Sequence, residues 1–185
     1  MGSMCKIDQS LMPYLAQRAI GAGFGSVLFT DVRGIEDVRD CIRAARPDHP
    51  DYGGLYGVAT RRNSYMGYGG SLEYVKAVGD TVLAFMIEKK GAVDNLEEIL
   101  EEPGVDMTQW GGSDYSVSIG RPGETNHPEV VAAKKKTFEM SLKMGVPPRA
   151  EINTADDAKE YLDMGVRHFL VGTSDISILH SFWRR

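Results

Sequence analysis

Short apolar runs alternate along the chain with stretches in which apolar side chains return every three or four positions. Continuous apolar runs suit strands buried on both faces, the longer period suits amphipathic helices, and their alternation predicts βα units feeding a parallel sheet. Six runs carry the strand pattern: Cys5–Asp8, Ser26–Val32, Val82–Glu88, Val105–Trp110, Arg149–Ile152 and His168–Gly172. Helical stripes follow at Leu11, Leu15, Ala19 and Ile20, at Ile35, Val38, Ile42 and Ala45, and at Val93, Leu96, Ile99 and Leu100, the last closed by Glu102, Pro103 and Gly104. His127, Pro128 and Glu129 open a longer helix to about Met144, with Pro128 suited to the first turn. Thr154 with Asp157 three residues on reads as a capping box before another helix.

Six βα units are two short of a closed (β/α)8 barrel of the TIM type. A parallel sheet left unclosed exposes two strand edges, so the expectation is a partial barrel, completed by more chain or by another copy. Residues 5–185 form its single domain, and residues 1–4, Met-Gly-Ser-Met, read as a leader. Between Arg46 and Gly70 the chain is rich in Pro, Gly, Tyr and Arg without periodicity, which predicts a long loop with short helical pieces. Gly111 and Gly112 predict an irregular turn with special backbone angles after the fourth run. Gly21, Gly23 and Gly25 mimic a nucleotide fingerprint but follow a helix and precede a strand, the reverse of the required order, and read as turn glycines.

Composition adds little to the fold but removes some functions. With 42% hydrophobic and 25% charged residues the chain is ordinary globular protein. A formal charge of -5 argues against a nucleic-acid partner, which needs a concentrated cationic surface. The basic run Lys134–Lys136 sits in a helical pattern and reads as a solvated face. No apolar run approaches the roughly 18 residues that span a bilayer. Two cysteines, Cys5 and Cys41, are too few for a disulfide framework, and cytoplasmic residence is expected.

The chemistry concentrates at strand ends. Glu88 closes an almost wholly apolar run, where an unpaired carboxylate costs several kcal/mol if buried, so it should face a cation. Asp114 leaves the next strand through the glycine pair, and in a parallel barrel both carboxylates emerge at the same rim. Two carboxylates plus waters suit an octahedral Mg²⁺ or Mn²⁺ with open positions. The bland alternatives are a Glu88 paired with Lys89 or Lys90 and an Asp114 that serves only a turn. Arg149 and Glu151 share one face of their strand, to pair with each other or to meet substrate at the barrel mouth. Gly172, Thr173 and Ser174 offer a phosphate cradle at the last strand end, while His49 and His127 read as structural loop residues.

The order Ile87-Glu88, Asn95–Leu100, Pro103–Asp106, Gly112–Ser116, His127–Val130 and Val171-Gly172 resembles the HpcH/HpaI aldolase and citrate lyase beta-subunit family, from about Cys5 to Leu179. The resemblance implies strands three to eight of a phosphoenolpyruvate/pyruvate-type barrel. It implies Glu88 and Asp114 as ligands of a divalent metal, Mg²⁺ or Mn²⁺ with Co²⁺ a further candidate. The backbone around Gly112 and Ser113 would hold the carboxylate of a pyruvate-like ligand. The implied reaction makes or cleaves a C–C bond next to a pyruvate unit in a hydroxy-2-keto acid, with an aldehyde as the other partner, through a metal-stabilised enolate.

Departures mark this chain within that resemblance. Where the family carries an arginine at the end of its third strand this chain has Ile7, beside Lys6 and Asp8, and Lys6 is the candidate substitute. Met86 replaces a family glutamine, and Gly112 a family proline. No counterpart to the first two βα units, with the histidine that helps the catalytic base, precedes Cys5, and the last helix is missing after Trp183. Arg149 and Glu151 stand where typical aldolases are apolar, which suggests a polar or acidic acceptor; Arg61 and Arg62 in the long loop are candidates for a lid or a distal carboxylate. The open edge suggests a homo-oligomer. The alternatives are a citrate-lyase-like enzyme on a CoA thioester, and a degenerate barrel that binds a keto acid or partner without turnover.

Overall fold

Six parallel strands lie in chain order, β1-β2-β3-β4-β5-β6, which is the wall of a singly wound barrel. The computed structural model describes residues 3–8, 13–58, 70–154 and 156–171. The strands are β1 (Met4–Asp8), β2 (Ser26–Thr30), β3 (Val82–Ile87), β4 (Met107–Trp110), β5 (Pro148–Ile152) and β6 (His168–Val171). The helices are α1 (Leu15–Gly21), α2 (Ile35–Ala45), α3 (Leu72–Gly79), α4 (Lys90–Asp94), α5 (Leu96–Glu101), α6 (Gly112–Ser118), α7 (Pro128–Lys143) and α8 (Asp157–Met164). No helix among the described residues is long and apolar enough to cross a membrane.

Alternation sorts the strand residues into two layers. Val27 and Phe29 of β2 and Leu83, Phe85 and Ile87 of β3 face outward into the main core, against Ile20, Val38, Cys41 and Ile99 from the helices. Phe29 and Phe85 stack there, ring centroids 5.2 Å apart. The opposite parity faces inward: Leu28, Ala84, Met86 and Met107 form a separate small cluster with Met4. β3 reads as an unbroken apolar run because both of its faces are covered. The edge strand β6 is half exposed, whereas β3 is buried after Val82. The open edges expected of six units are therefore present in the described structure.

Local signals explain most boundaries. Pro128 starts α7 at its first position, and the His127 Nδ1 accepts the Glu129 N–H as the cap. Thr154 Oγ1 accepts the Asp157 N–H while Asp157 Oδ2 accepts the N–H of Thr154, so the capping box closes the turn before α8. The single helix expected around Val93–Leu100 is two, α4 and α5, broken at Asn95. Helix α3 is not visible in the apolar pattern: only Tyr74 and Val78 are buried, and Leu72 is exposed, so no stripe announces it. Ser71 caps it by accepting the Tyr74 N–H. Arg46, at the start of the long loop, is buried; its guanidinium donates to the carbonyls of Gly79 and Thr81 and pairs with Asp106 at 2.8 Å.

Candidate functional site

Glu88 follows the last residue of β3 and is only 4% exposed. Its cover comes from two directions. Asp31, just past β2, has φ 61, the only positive φ at a non-glycine among the described residues. Aspartate tolerates this left-handed conformation better than most residues, and here it aims the Asp31 N–H at Glu88 Oε1, 2.7 Å away. The Asp31 carbonyl accepts from Arg33 Nη1 at 2.9 Å, which holds the turn. On the other side Gly111 closes over Glu88: a Cβ there would lie 2.5 Å from Glu88 Oε2 and 2.6 Å from Glu88 Cβ.

That contact corrects the reading of the glycine pair. Neither Gly111 nor Gly112 has a positive φ, and the chain from Gly112 is the helix α6 rather than an irregular turn. Gly111 is required for clearance over Glu88, and Gly112 lies against the indole of Trp110. Gly111→Ala is expected to lower the unfolding free energy by about 1–3 kcal/mol, the usual cost of overpacking, in urea denaturation. An unchanged midpoint would show that Glu88 can move aside freely.

Asp114 lies in the first turn of α6. Its Oδ1 sits 2.8 Å from Lys89 Nζ, and the same ammonium lies 2.6 Å from Asp31 Oδ1. Lys89 thus bridges Asp31, just past β2, and Asp114, in the first turn after β4, beside the end of β3. Burial pushes the Glu88 carboxyl above its usual pKa, Asp114 and Asp31 add to the shift, and the Asp31 N–H and Lys89 oppose it. Burial also works against the Lys89 ammonium, but its bonds to Asp114 and Asp31 prevail and raise its pKa. Glu88 itself forms no ion pair among the described residues, so neither Lys89 nor Lys90 is its partner.

The profile of the HpcH/HpaI aldolase/citrate lyase family matches residues 7–180, nearly the whole chain. The chain belongs to this family. Among curated proteins it is 29% identical over 170 residues to a 5-keto-4-deoxy-D-glucarate aldolase of Klebsiella pneumoniae, covering 91% of this chain and 64% of that protein. It is 28% identical over 161 residues to a 4-hydroxy-2-oxo-heptane-1,7-dioate aldolase of Escherichia coli, covering 86% of this chain and 60% of that one. The chain therefore spans less than two thirds of the length of these relatives. In fold it is similar to an HpcH/HpaI aldolase/citrate lyase family protein from Burkholderia cenocepacia, with TM-score 0.80 at 24% identity over 98% of this chain and 70% of the other. It is also similar to the citrate synthase SbnG, with TM-score 0.79 at 19% identity over 98% of this chain and 69% of that structure.

Within this family member the site residues expected from sequence take different places. Glu88 and Asp114 come together with Gly112 and Ser113 at the rim. Arg149 and Glu151 lie on the inward face, since Ala150 and Ile152 between and beyond them pack under the helices. They do not pair with each other: Arg149 Nε donates to Gln109 Oε1 at 2.6 Å, and burial pulls the guanidinium below its usual pKa while Glu151 opposes. Lys6 is exposed and shares the inward parity. Its register partner is Leu28, which pairs with Ala84, four residues before Glu88, or about 13 Å along a strand. Lys6 is thus not brought to the carboxylates. Arg61, Arg62, Gly172, Thr173 and Ser174 lie outside the described residues.

Sequence reasoning missed Asp31, Lys89 as a bridge, and Gln109. Asp31 carried the same signal as Glu88, an acid just after an apolar run. Gln109 was legible as a lone amide in a buried strand; it is 2% exposed. The basic run also divides. Lys135 makes a surface pair with Glu139, and Lys136 Nζ donates to the Val93 carbonyl. Lys134 is half-buried with its ammonium 4.9 Å from the Tyr161 ring centroid, so that residue is not on a solvated face.

Proposed function

We propose that this chain carries the metal and keto-acid site of a C–C lyase that makes or cleaves the bond next to a pyruvate unit in a hydroxy-2-keto acid. The observation that carries the reading is a buried Glu88 that forms no ion pair among the described residues, beside Asp114 and Asp31, which share the Lys89 ammonium. This donor set fits a divalent cation. Hard oxygen ligands in excess of the local positive charge suit Mg²⁺ or Mn²⁺, with Co²⁺ a further candidate. No group of three or more ligating side chains is clustered among the described residues, so water and substrate would complete the coordination of Glu88 and Asp114. When bound, such an ion supplies Lewis acidity toward the oxygens of a 2-keto acid and its enolate.

The chain's own residues prepare the site. The Asp31 N–H and the Gly111 backbone hold Glu88 in one orientation. The backbone around Gly112 and Ser113, beside Asp114, would hold the keto acid's carboxylate. Arg149, fixed by Gln109, and Glu151 line the inward face for the rest of the substrate, and Arg61 and Arg62 belong to the same proposal. A free keto acid and aldehyde are favoured over a CoA thioester, because the one basic run is taken up by Tyr161, Glu139 and the Val93 carbonyl. The half-exposed edge strand supports a homo-oligomer. Cys5 and Cys41, which form no disulfide among the described residues, suit a reducing cytoplasm.

The test is calorimetric titration with Mn²⁺, with and without oxalate as a pyruvate-enolate mimic. Metal binding that tightens with oxalate supports the chelate site, and a folded protein that binds neither overturns it. Lys89 sharpens the test. Because its ammonium sits on Asp114 and Asp31, a divalent cation has to displace it. Lys89→Met is expected to bind Mn²⁺ about tenfold more tightly than the parent, the change that roughly 1.4 kcal/mol produces. Equal or weaker binding would show that Lys89 assists the metal instead of competing with it.

A further inference from the structure

Asp31 brings two groups to the site: its N–H holds Glu88 Oε1, and its carboxylate holds the Lys89 ammonium. The turn that presents them is anchored to both neighbouring helices. Its left-handed φ of 61 is kept by the bond to Glu88 and by Arg33 Nη1 on the Asp31 carbonyl. The Arg33 N–H donates to Asp37 Oδ2 in the first turn of α2, at 2.7 Å. The Arg33 carbonyl lies against α4 at Gly91, where a Cβ would come within 2.3 Å of its oxygen. The turn is thus wedged between α2 and α4, and Asp31 is fixed at the end of β2 whatever happens at Asp114.

Lys89 bridges two unequal partners. Its Nζ is 2.6 Å from Asp31 Oδ1 and 2.8 Å from Asp114 Oδ1, and the two carboxylate side chains are 27% and 57% exposed. Solvent screens the Asp114 pair more, so the Asp31 pair is the stronger of the two. A divalent cation that takes Asp114 therefore breaks the weaker pair and leaves the stronger one. Charge agrees with this division. With Lys89 neutralised by Asp31, Glu88 and Asp114 keep two negative charges, which one divalent cation balances. Without the Asp31 carboxylate the ammonium would stand uncompensated beside the ion, and like charges at that range repel.

We propose that Asp31 is a positioning residue that acts through Lys89: it retains the ammonium when a divalent cation takes Asp114, so that Lys89 gives up one partner without leaving the site. This role rests on the metal site proposed for Glu88 and Asp114. It makes the Asp31 carboxylate the counter-charge of Lys89 and not a further ligand of the cation.

The experiment is calorimetric titration with Mn²⁺ of four proteins: the parent, Asp31→Asn, Lys89→Met and the double variant. Asparagine tolerates the left-handed turn and keeps its N–H on Glu88, so Asp31→Asn removes the charge and little else. Asp31→Asn is expected to bind Mn²⁺ about tenfold more weakly than the parent. In the Lys89→Met background the same change should cost less than about threefold, because no ammonium remains to be held. A merely structural Asp31 would not show that dependence on Lys89, since a disturbed turn would misplace Glu88 in both backgrounds. Should the asparagine protein fail to fold, Asp31→Gly, which also admits the left-handed turn, takes its place in the cycle. Equal losses with and without Lys89, or an Asp31→Asn protein that binds Mn²⁺ at least as tightly as the parent, would overturn the role of Asp31 and leave the metal site standing. A folded parent that binds no Mn²⁺, with or without oxalate, would overturn the metal site and the role of Asp31 with it.

Discussion

Glu88→Gln is expected to weaken Mn²⁺ binding by on the order of 100-fold or more, because loss of residues that merely orient metal ligands already costs about 10–100-fold. The amide keeps the shape of the side chain and can still accept the Asp31 N–H, so the fold should survive. Stability should move the opposite way. Burial holds the Glu88 carboxyl above its usual pKa, so the folded state binds that proton more tightly than the unfolded state. For a carboxyl shifted upward, the unfavourable contribution is absent at pH values below the ordinary carboxylate range, near pH 4, and grows as the pH rises through the folded-state pKa. Metal-free Glu88→Gln should therefore have the higher melting temperature at pH 7, with the difference closing toward pH 4. A variant that loses the metal and also melts lower at pH 7 would mean that the charged carboxylate holds the strand ends together, contrary to its burial.

Arg46→Met is expected to cost about 3 kcal/mol of stability in urea denaturation. Its guanidinium ties three places together: the carbonyl of Gly79 at the end of α3, the carbonyl of Thr81 before β3, and Asp106 before β4, at 2.8, 2.6 and 2.8 Å. Breaking a buried pair by removing one partner costs about 3–5 kcal/mol, and the Asp106 side chain is 38% exposed, which puts the effect at the low end. Asp106 keeps the Leu83 N–H, so the strand start is not wholly released. A loss under about 1 kcal/mol would show that water replaces the guanidinium at all three acceptors. Arg46 thus holds the entry of β3, while at its exit Glu88 is held by the Asp31 N–H.

The contrast between Glu88 and Lys134 shows how far a linear reading reaches. Glu88 was legible because an acid after six apolar residues has no neutral interpretation once the run is a buried strand. Lys134 was not, because one lysine in an amphipathic helix looks like the next; only the packing of α7 against α8 puts its ammonium over Tyr161 while Lys135 stays at the surface. The glycine pair is visible in the sequence, but its role is not. Its residue type signalled close quarters, yet whether a glycine serves a backbone angle or a clearance depends on what stands opposite, and here that is Glu88.

The sequence by itself determined the six strand positions, the parallel βα order, the start of α7 at Pro128, the capping box of α8, and the arrival of Glu88 and Asp114 at one rim. Each of these follows from local periodicity, from a capping residue, or from the rule that successive parallel strands end on the same side. The tertiary structure alone decided that Asp31 turns its N–H onto Glu88, that Lys89 is shared by Asp31 and Asp114, that Arg149 is held by Gln109, and that Arg46 is buried. Those pairs are separated by as many as 60 residues, and their meeting depends on strand register and side-chain reach, which no local pattern encodes.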